Sequence, residues 1–203
     1  MSIKARREKE KETMRTTILE AAIKIIIDES YDKLTMRKIA DVIDYTPTTI
    51  YSYYKDKAQI VNDISRQIYD KIICAAKSAL DENKDSPFDE QLIAVFKAFL
   101  YSIANCAEMG DAVIRSGTGA IFGPNDESVQ PEDNGILILS DLLMQGQQAS
   151  VFRKLDENIP WMLITALIGF GLNAIENRLY LSEHWHGLVE TFVDILVNGL
   201  LAK

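Results

Sequence analysis

The run from Thr46 to Lys57, TPTTIYSYYKDK, is where side chains able to do recognition chemistry stand closest together. Hydroxyls, phenols and ammonium groups at this spacing suit a partner rich in anionic oxygens and hydrogen-bonding edges, such as DNA. If the run is helical, Ile50 and Tyr54, four apart, point inward. Pro47, Thr48, Ser52 and Tyr53 are then left to meet base edges or methyls. Catalysis is poorly supplied by comparison. The histidines His184 and His186 flank Trp185, and on a helix their rings point about 200° apart, so no joint metal site is expected. The chain has no GxSxG, no phosphate loop and no Rossmann glycine run. The carboxylate pairs Asp81-Glu82 and Asp156-Glu157 fall in polar turns and read as solvated. Neither an enzyme nor a cofactor is expected.

The elements that must hold the run in place are legible around it. Thr35 suits a helix N-cap, and Met36, Ile39, Ala40 and Ile43 recur on one helical face. Asp44 and Tyr45 break that pattern, and Asp enters the left-handed region more readily than most residues. Thr46 is again a cap type, and Pro47 suits the first helical position, where no N–H is needed. Two short helices joined so closely make a helix-turn-helix, whose second helix can enter a major groove. Helices this short need support. It is expected from a helix beginning near Thr16, with Ile18, Ala22, Ile25 and Ile26 on one face and Tyr31 plugging the small core behind it. Ser2 to Arg15 is a dense charge run, expected to be a solvated or frayed helix start; Arg6, Arg7 and Arg15 are its candidates for phosphate or minor-groove contact.

Thr35, Ile39, Ala40, Thr46, Ile50, Tyr51, Tyr54 and Lys57 stand in register with the pattern T-hydrophobic-x-x-IA-x-x-AGV-S-x-G-x-hydrophobic-Y-x-hydrophobic-F-x-x-K. From about Thr13 to Ile60 the chain therefore resembles the TetR family of bacterial transcriptional regulators. It departs from the pattern where the turn's Ala-Gly is Ile43-Asp44 and where the recognition helix carries Thr48 in place of Gly. Ser30 also stands where members commonly have Gly. The resemblance implies phosphate contacts by Tyr51 and Lys57, with Thr35, Arg37 and Thr49 as further phosphate or groove-edge contacts, and it places Thr46 at the DNA-facing start of the recognition helix. Lys57, just inside the next helix, adds its charge to that helix's N-terminal amides.

A net charge of −8 looks wrong for a DNA binder until it is divided by position. Residues 1–57 hold 12 Lys and Arg against 10 Asp and Glu, and the remainder holds 10 against 20. A mildly basic head before an acidic body orients a protein on DNA and predicts modest non-specific affinity. No stretch near 18 residues stays apolar without interruption, and the charged start is unlike a signal peptide, so a cytoplasmic protein with no membrane partner is expected. Cys74 and Cys106 are isolated and are expected to be buried free thiols.

Beyond the head the pattern stays helical. Ile60, Ile64, Ile68, Ile72, Ala75 and Ala79 predict a linking helix over 56–81, roughly 35 to 40 Å long. Phe88, Leu92, Val95, Phe96, Phe99 and Ile103 predict another to about Ala107, followed by a short one over 108–115. The glycine- and proline-rich segment 117–135 predicts a loop, either a gate over a cavity or a surface excursion. Helices are expected again over 136–149, 159–180 and 184–201. The last two are apolar on more than one face, with Gly169, Gly171 and Ala174 permitting close approach, so a second copy is expected to cover Ala166, Phe170, Trp185, Leu188, Phe192 and Ile195. Similar proteins pair these helices with their symmetry mates in a four-helix bundle.

The fold class is thus all-α: a helix-turn-helix head over 1–55 and a helical effector-binding and dimerisation body over 56–203. By resemblance an effector pocket lies in the body. Polar or aromatic side chains embedded in its apolar faces are the candidates to line it: Tyr101, Asn105, Arg115, Gln145, Gln148, Phe152, Trp161, Asn173 and Glu176. A buried Glu176 would need a partner, water or a cationic ligand. The function this implies is a homodimeric repressor that an unknown small molecule releases from inverted half-sites on double-stranded DNA. Activation or corepression fits the same residues, as do control by a protein partner and a helical ligand-binding or enzymatic body carrying a vestigial DNA-binding head.

Overall fold

Alternating charge over residues 3–15 does not stop them from joining one 27-residue helix, α1 (Ile3–Glu29). The computed structural model describes residues 3–116 and 134–202. Within them the chain is helical, with no strand beyond one isolated bridge between Phe152 and Leu201. After α1 come a 3-10 turn at Tyr31–Lys33, α2 (Met36–Val42), α3 (Pro47–Tyr51), α4 (Lys57–Glu82), α5 (Phe88–Ala104), α6 (Ala107–Ser116), α7 (Gly135–Gln148), α8 (Ile159–Glu176), a second 3-10 turn at Leu179–Leu181, and α9 (Trp185–Asn198).

The described chain divides into two compact units, and the division is not at residue 55. The first unit runs to Ile68 and takes in the segment beginning at Glu108; the second holds Tyr69–Ala107 and the C-terminal helices. The boundary falls inside α4 because the first turns of that helix bury Ile60, Val61, Ile64 and Ile68 with the head.

In the head, α1 buries Ile18, Ala22, Ile25 and Ile26, α2 buries Met36, Ile39 and Ala40, and α3 buries Ile50. Leu34, fully buried, fills the place expected for Tyr31, which is half-exposed under Lys57. The reason is the reversal after α1: Ser30 adopts φ 90°, ψ 163°, and sends the chain into the 3-10 turn with Leu34 facing in.

In the body, α5 packs against α7, α8 and α9. Its buried Leu92, Val95, Phe96 and Leu100 meet Leu139, Leu142 and Leu143 of α7, Leu163 and Leu167 of α8, and Val189, Val193 and Val197 of α9. Gly171 lets α8 come close to α5, since a Cβ there would lie 2.8 Å from Ile103 Cδ1. The C-terminus is tied down where Arg153 N donates to Leu200 O and Ala202 N to Val151 O, both at 2.9 Å.

Two further expectations are corrected, and a third lies mostly outside the described residues. The helix expected to reach Tyr180 ends at Glu176, because Arg178 takes the left-handed conformation (φ 53°) and turns the chain. Cys74 is exposed on α4, whereas Cys106 is buried. The loop at 117–135 lies outside the described residues except at its end, where Asn134 Oδ1 caps α7 by accepting from Ile136 N at 3.0 Å and Leu137 N at 3.3 Å.

Candidate functional site

The second helix of the helix-turn-helix, α3, is only five residues long, so its placement depends on how its two ends are held. At the front, Thr35 Oγ1 caps α2 by accepting from Lys38 N at 3.1 Å. Asp44 (φ 58°) closes α2 in the left-handed region, and Tyr45 N donates back to Ala40 O at 2.9 Å. Thr46 Oγ1 then caps α3 by accepting from Thr49 N at 3.3 Å, with Pro47 at the first helical position. Each cap is a residue of the type that its position demands, and this fixes the turn.

Behind α3 lies an arrangement of four residues drawn from α1, α4 and the connection between α3 and α4. Arg15 of α1 donates from Nη1 to Tyr53 O at 2.9 Å and from Nη2 to Asp63 Oδ2 of α4 at 2.8 Å. Its guanidinium lies 4.3 Å from the centre of the Tyr54 ring. Tyr54 Oη donates to the same Asp63 oxygen at 2.9 Å. Burial first, and then this hydrogen bond to a carboxylate, push the Tyr54 phenol well above its ordinary range, so it stays a donor. Arg15 is therefore not a free phosphate contact: its charge is spent inside the head, locking the carbonyl just after α3 onto α4. Sequence reasoning missed this because Arg15 sits in a charge run and its partners lie 38 and 48 residues away.

What remains outward is a compact surface. Arg37, Thr46, Pro47, Thr48 and Ser52 are exposed, Thr49 is half-exposed, and Tyr51 is 56% exposed. Ile50 and Tyr54 are buried, as their spacing predicts. Tyr53 is half-buried, and Lys57, opening α4, holds its ammonium 3.9 Å from the centre of the Tyr31 ring. Asp56 Oδ1 caps α4 by accepting from Gln59 N at 2.9 Å, so a carboxylate already occupies the helix N-terminus beside Lys57. Lys38 is ion-paired to Glu29. Arg37, by contrast, stands clear on the exposed side of α2.

The residues expected to line an effector pocket are not brought together. Asn105, Gln145, Gln148, Trp161, Asn173 and Glu176 are exposed, and Gln145 donates to Asp141 at 2.7 Å. Glu176 faces water at the end of α8, which removes the cost that its burial would carry. Arg115 is exposed in the head unit, paired with Asp111 at 2.8 Å and Asp32 at 3.3 Å. Tyr101 is half-buried, hydrogen-bonded to His186 and edge-on to Trp185. Phe152 is a core plug: Gly146 lacks a side chain, and the Phe152 ring occupies the slot, 2.3 Å from where a Cβ would stand.

Three of the residues expected at a subunit contact are brought together. Phe170 of α8 stacks on Trp185 (5.8 Å between ring centres) and Phe192 (4.2 Å) of α9. On the same two helices Ala166, Leu188 and Ile195 are half-buried or exposed, as are Trp161 and Met162. Helix Ile159–Glu176 is long and apolar enough to cross a membrane by length and composition, but Leu163, Leu167, Gly171, Ala174 and Ile175 turn its other side inward.

The sequence pattern of "Bacterial regulatory proteins, tetR family" matches residues 18–64, which contain the caps, α3 and Asp63. No curated protein matches the chain. Solved structures share its fold over nearly the whole length. A TetR family transcription regulator from Marinobacter aquaeolei VT8 is 18% identical with a TM-score of 0.65, covering 98% of this chain and 100% of its own. The fatty acid degradation regulator FadR from Bacillus halodurans is 16% identical with a TM-score of 0.66, covering 90% and 94%. The ketosteroid transcriptional regulator KstR2 of Mycobacterium tuberculosis is 17% identical with a TM-score of 0.60, covering 94% and 96%. The pattern of the tetR family thus falls on the capped helix-turn-helix of the head, and the fold of these solved regulators extends over nearly the whole chain.

Proposed function

We propose that the protein regulates transcription as a homodimer bound to an inverted-repeat operator, and that a small molecule held by the C-terminal body releases it. The observation that carries this reading is the head: a capped, clamped α3 whose Pro47, Thr48 and Tyr51 face outward while Ile50 and Tyr54 anchor it. Thr35, Arg37, Thr49, Ser52, Tyr53 and Lys57 flank that surface, and phosphate contact is the role we assign to Arg37, Tyr51 and Lys57. The exposed aromatic and aliphatic face of α8 and α9 supports a two-fold pair, and such a pair predicts two half-sites in opposite orientation. Helix α4 belongs to the head unit up to Ile68 and to the body unit from Tyr69, so it is the element through which ligand binding would shift the population of DNA-competent heads. Two structures of similar fold are named as regulators of fatty acid degradation and of ketosteroids, which makes apolar metabolites the first effectors to screen.

The test is selection of bound duplexes from a random DNA pool by the purified protein, beside a Tyr51→Phe, Lys57→Ala variant. An inverted-repeat motif enriched by the first and lost in the second is the expected result. No enrichment at low salt overturns the reading.

A further inference from the structure

Resting on the DNA-binding reading above, we infer that the protein distinguishes its half-site through thymine C5-methyl groups, met by the Pro47 ring and the Thr48 methyl. From Thr46 to Tyr54 there is no Arg, Lys, Asn or Gln, the side chains that pair in bidentate fashion with guanine or adenine edges. The hydroxyls around α3 are largely committed to the head itself. Thr46 Oγ1 caps Thr49 N and lies 3.0 Å from Thr49 Oγ1, while Ser52 Oγ donates to Thr49 O at 2.6 Å.

Thr48 and Pro47 are left as the exposed side chains at the front of the helix, offering a methyl, a hydroxyl and a ring without a donor. A lone hydroxyl donates or accepts, so it discriminates poorly among base edges; a methyl discriminates well, because the thymine C5-methyl is the apolar feature of the major-groove edges. The exposed cation nearest in sequence on α2, Arg37, lies outside α3 and suits a phosphate, and Lys38 is engaged by Glu29. The ligand class is therefore a duplex with T·A pairs opposite α3, read by apolar contact.

The test uses the full-length protein and the duplex it enriches, resynthesised with deoxyuridine replacing each thymine in turn, a change that removes only the methyl. At the thymines facing α3 binding should weaken about fourfold for each methyl lost from contact. Thr48→Val, which keeps a branched methyl, should retain that sensitivity, whereas Thr48→Ser should bind the thymine duplex more weakly and lose part of it. Equal affinity for uracil and thymine duplexes at every position, or G·C pairs opposite α3 in the enriched half-site, overturns the inference and leaves DNA binding standing. Failure to enrich any duplex overturns the DNA-binding reading and this inference with it.

Discussion

Arg15 and Tyr54 show how much of the head depends on contacts that have no local signature. Arg15 belongs to a run of alternating charges that reads as solvated, yet it joins Tyr53 O, Asp63 and the Tyr54 ring. The inward direction of Tyr54 was legible from its four-residue spacing to Ile50. The phenol's partner, Asp63, was not, because it lies on the next helix. Arg15→Ala should destabilise the protein by on the order of 2 kcal/mol, since it takes the only charged partner from Asp63 that the clamp supplies and the side-chain donor from the Tyr53 carbonyl. DNA affinity should fall with it, but the slope of log affinity against log salt should stay unchanged, because Arg15 neutralises no phosphate. Arg37→Ala, by contrast, should reduce that slope by about 1. Equal slopes for Arg37→Ala and the wild type would remove Arg37 from the interface. Tyr54 supplies a pH signature of the same clamp. Its folded pKa lies above the ordinary phenol value, first through burial and then through the bond to Asp63, so its contribution is complete below about pH 10 and declines as pH rises toward the folded value. Urea unfolding at pH 8 and pH 11 should show a steeper loss for the wild type than for Tyr54→Phe.

At the scale of elements, the sequence was most legible where a helix end is decided by its own neighbours. Thr35 and Thr46 cap α2 and α3, Pro47 opens α3, and Asp44 closes α2, because each of these effects acts within three or four residues. Ends decided by the fold were less so. Nothing in the apolar run 159–180 announces that Arg178 will turn left-handed, and Phe152, embedded in a polar stretch, reads as a ligand contact until the chain reversal at Ser150 (φ 59°) carries it over Gly146. Ser30 is the position where local preference and fold disagree. Its φ 90°, ψ 163° lies in a region open essentially to glycine, and the turn keeps it there because Leu34 must enter the core. Ser30→Gly should therefore stabilise the head by about 1 kcal/mol, the released strain exceeding the added freedom of the unfolded chain. Thermal unfolding followed by circular dichroism checks this, and a lower midpoint than wild type would mean that the serine relieves its own strain.

At the scale of the whole molecule, the sequence predicted an apolar outer surface on the last two helices and named Ala166, Phe170, Trp185, Leu188, Phe192 and Ile195 for it, and each of these is half-buried or exposed. α8 turns Leu163, Leu167 and Ala174 into the body and leaves Met162 61% exposed, while α9 buries Val189, Val193 and Val197 and leaves Ile195 64% exposed. Between them the Phe170, Trp185 and Phe192 rings stack into one apolar surface. Gly169 belongs to the same outward side of α8, and a Cβ there meets nothing within 4 Å. A surface of this kind, on helices whose opposite faces already complete the core, costs the single chain little to mutate and the proposed dimer a great deal. Met162→Glu with Ile195→Glu should thus leave the helical content and unfolding transition of the body in place while shifting the mass seen by light scattering from two chains to one. Affinity for a two-half-site duplex should then fall by about 10²- to 10⁴-fold, since each head would bind without its neighbour held nearby. Affinity for a duplex carrying one half-site should not change. A double variant that remains dimeric would place the subunit contact elsewhere on the chain and would withdraw this surface from the argument for inverted half-sites.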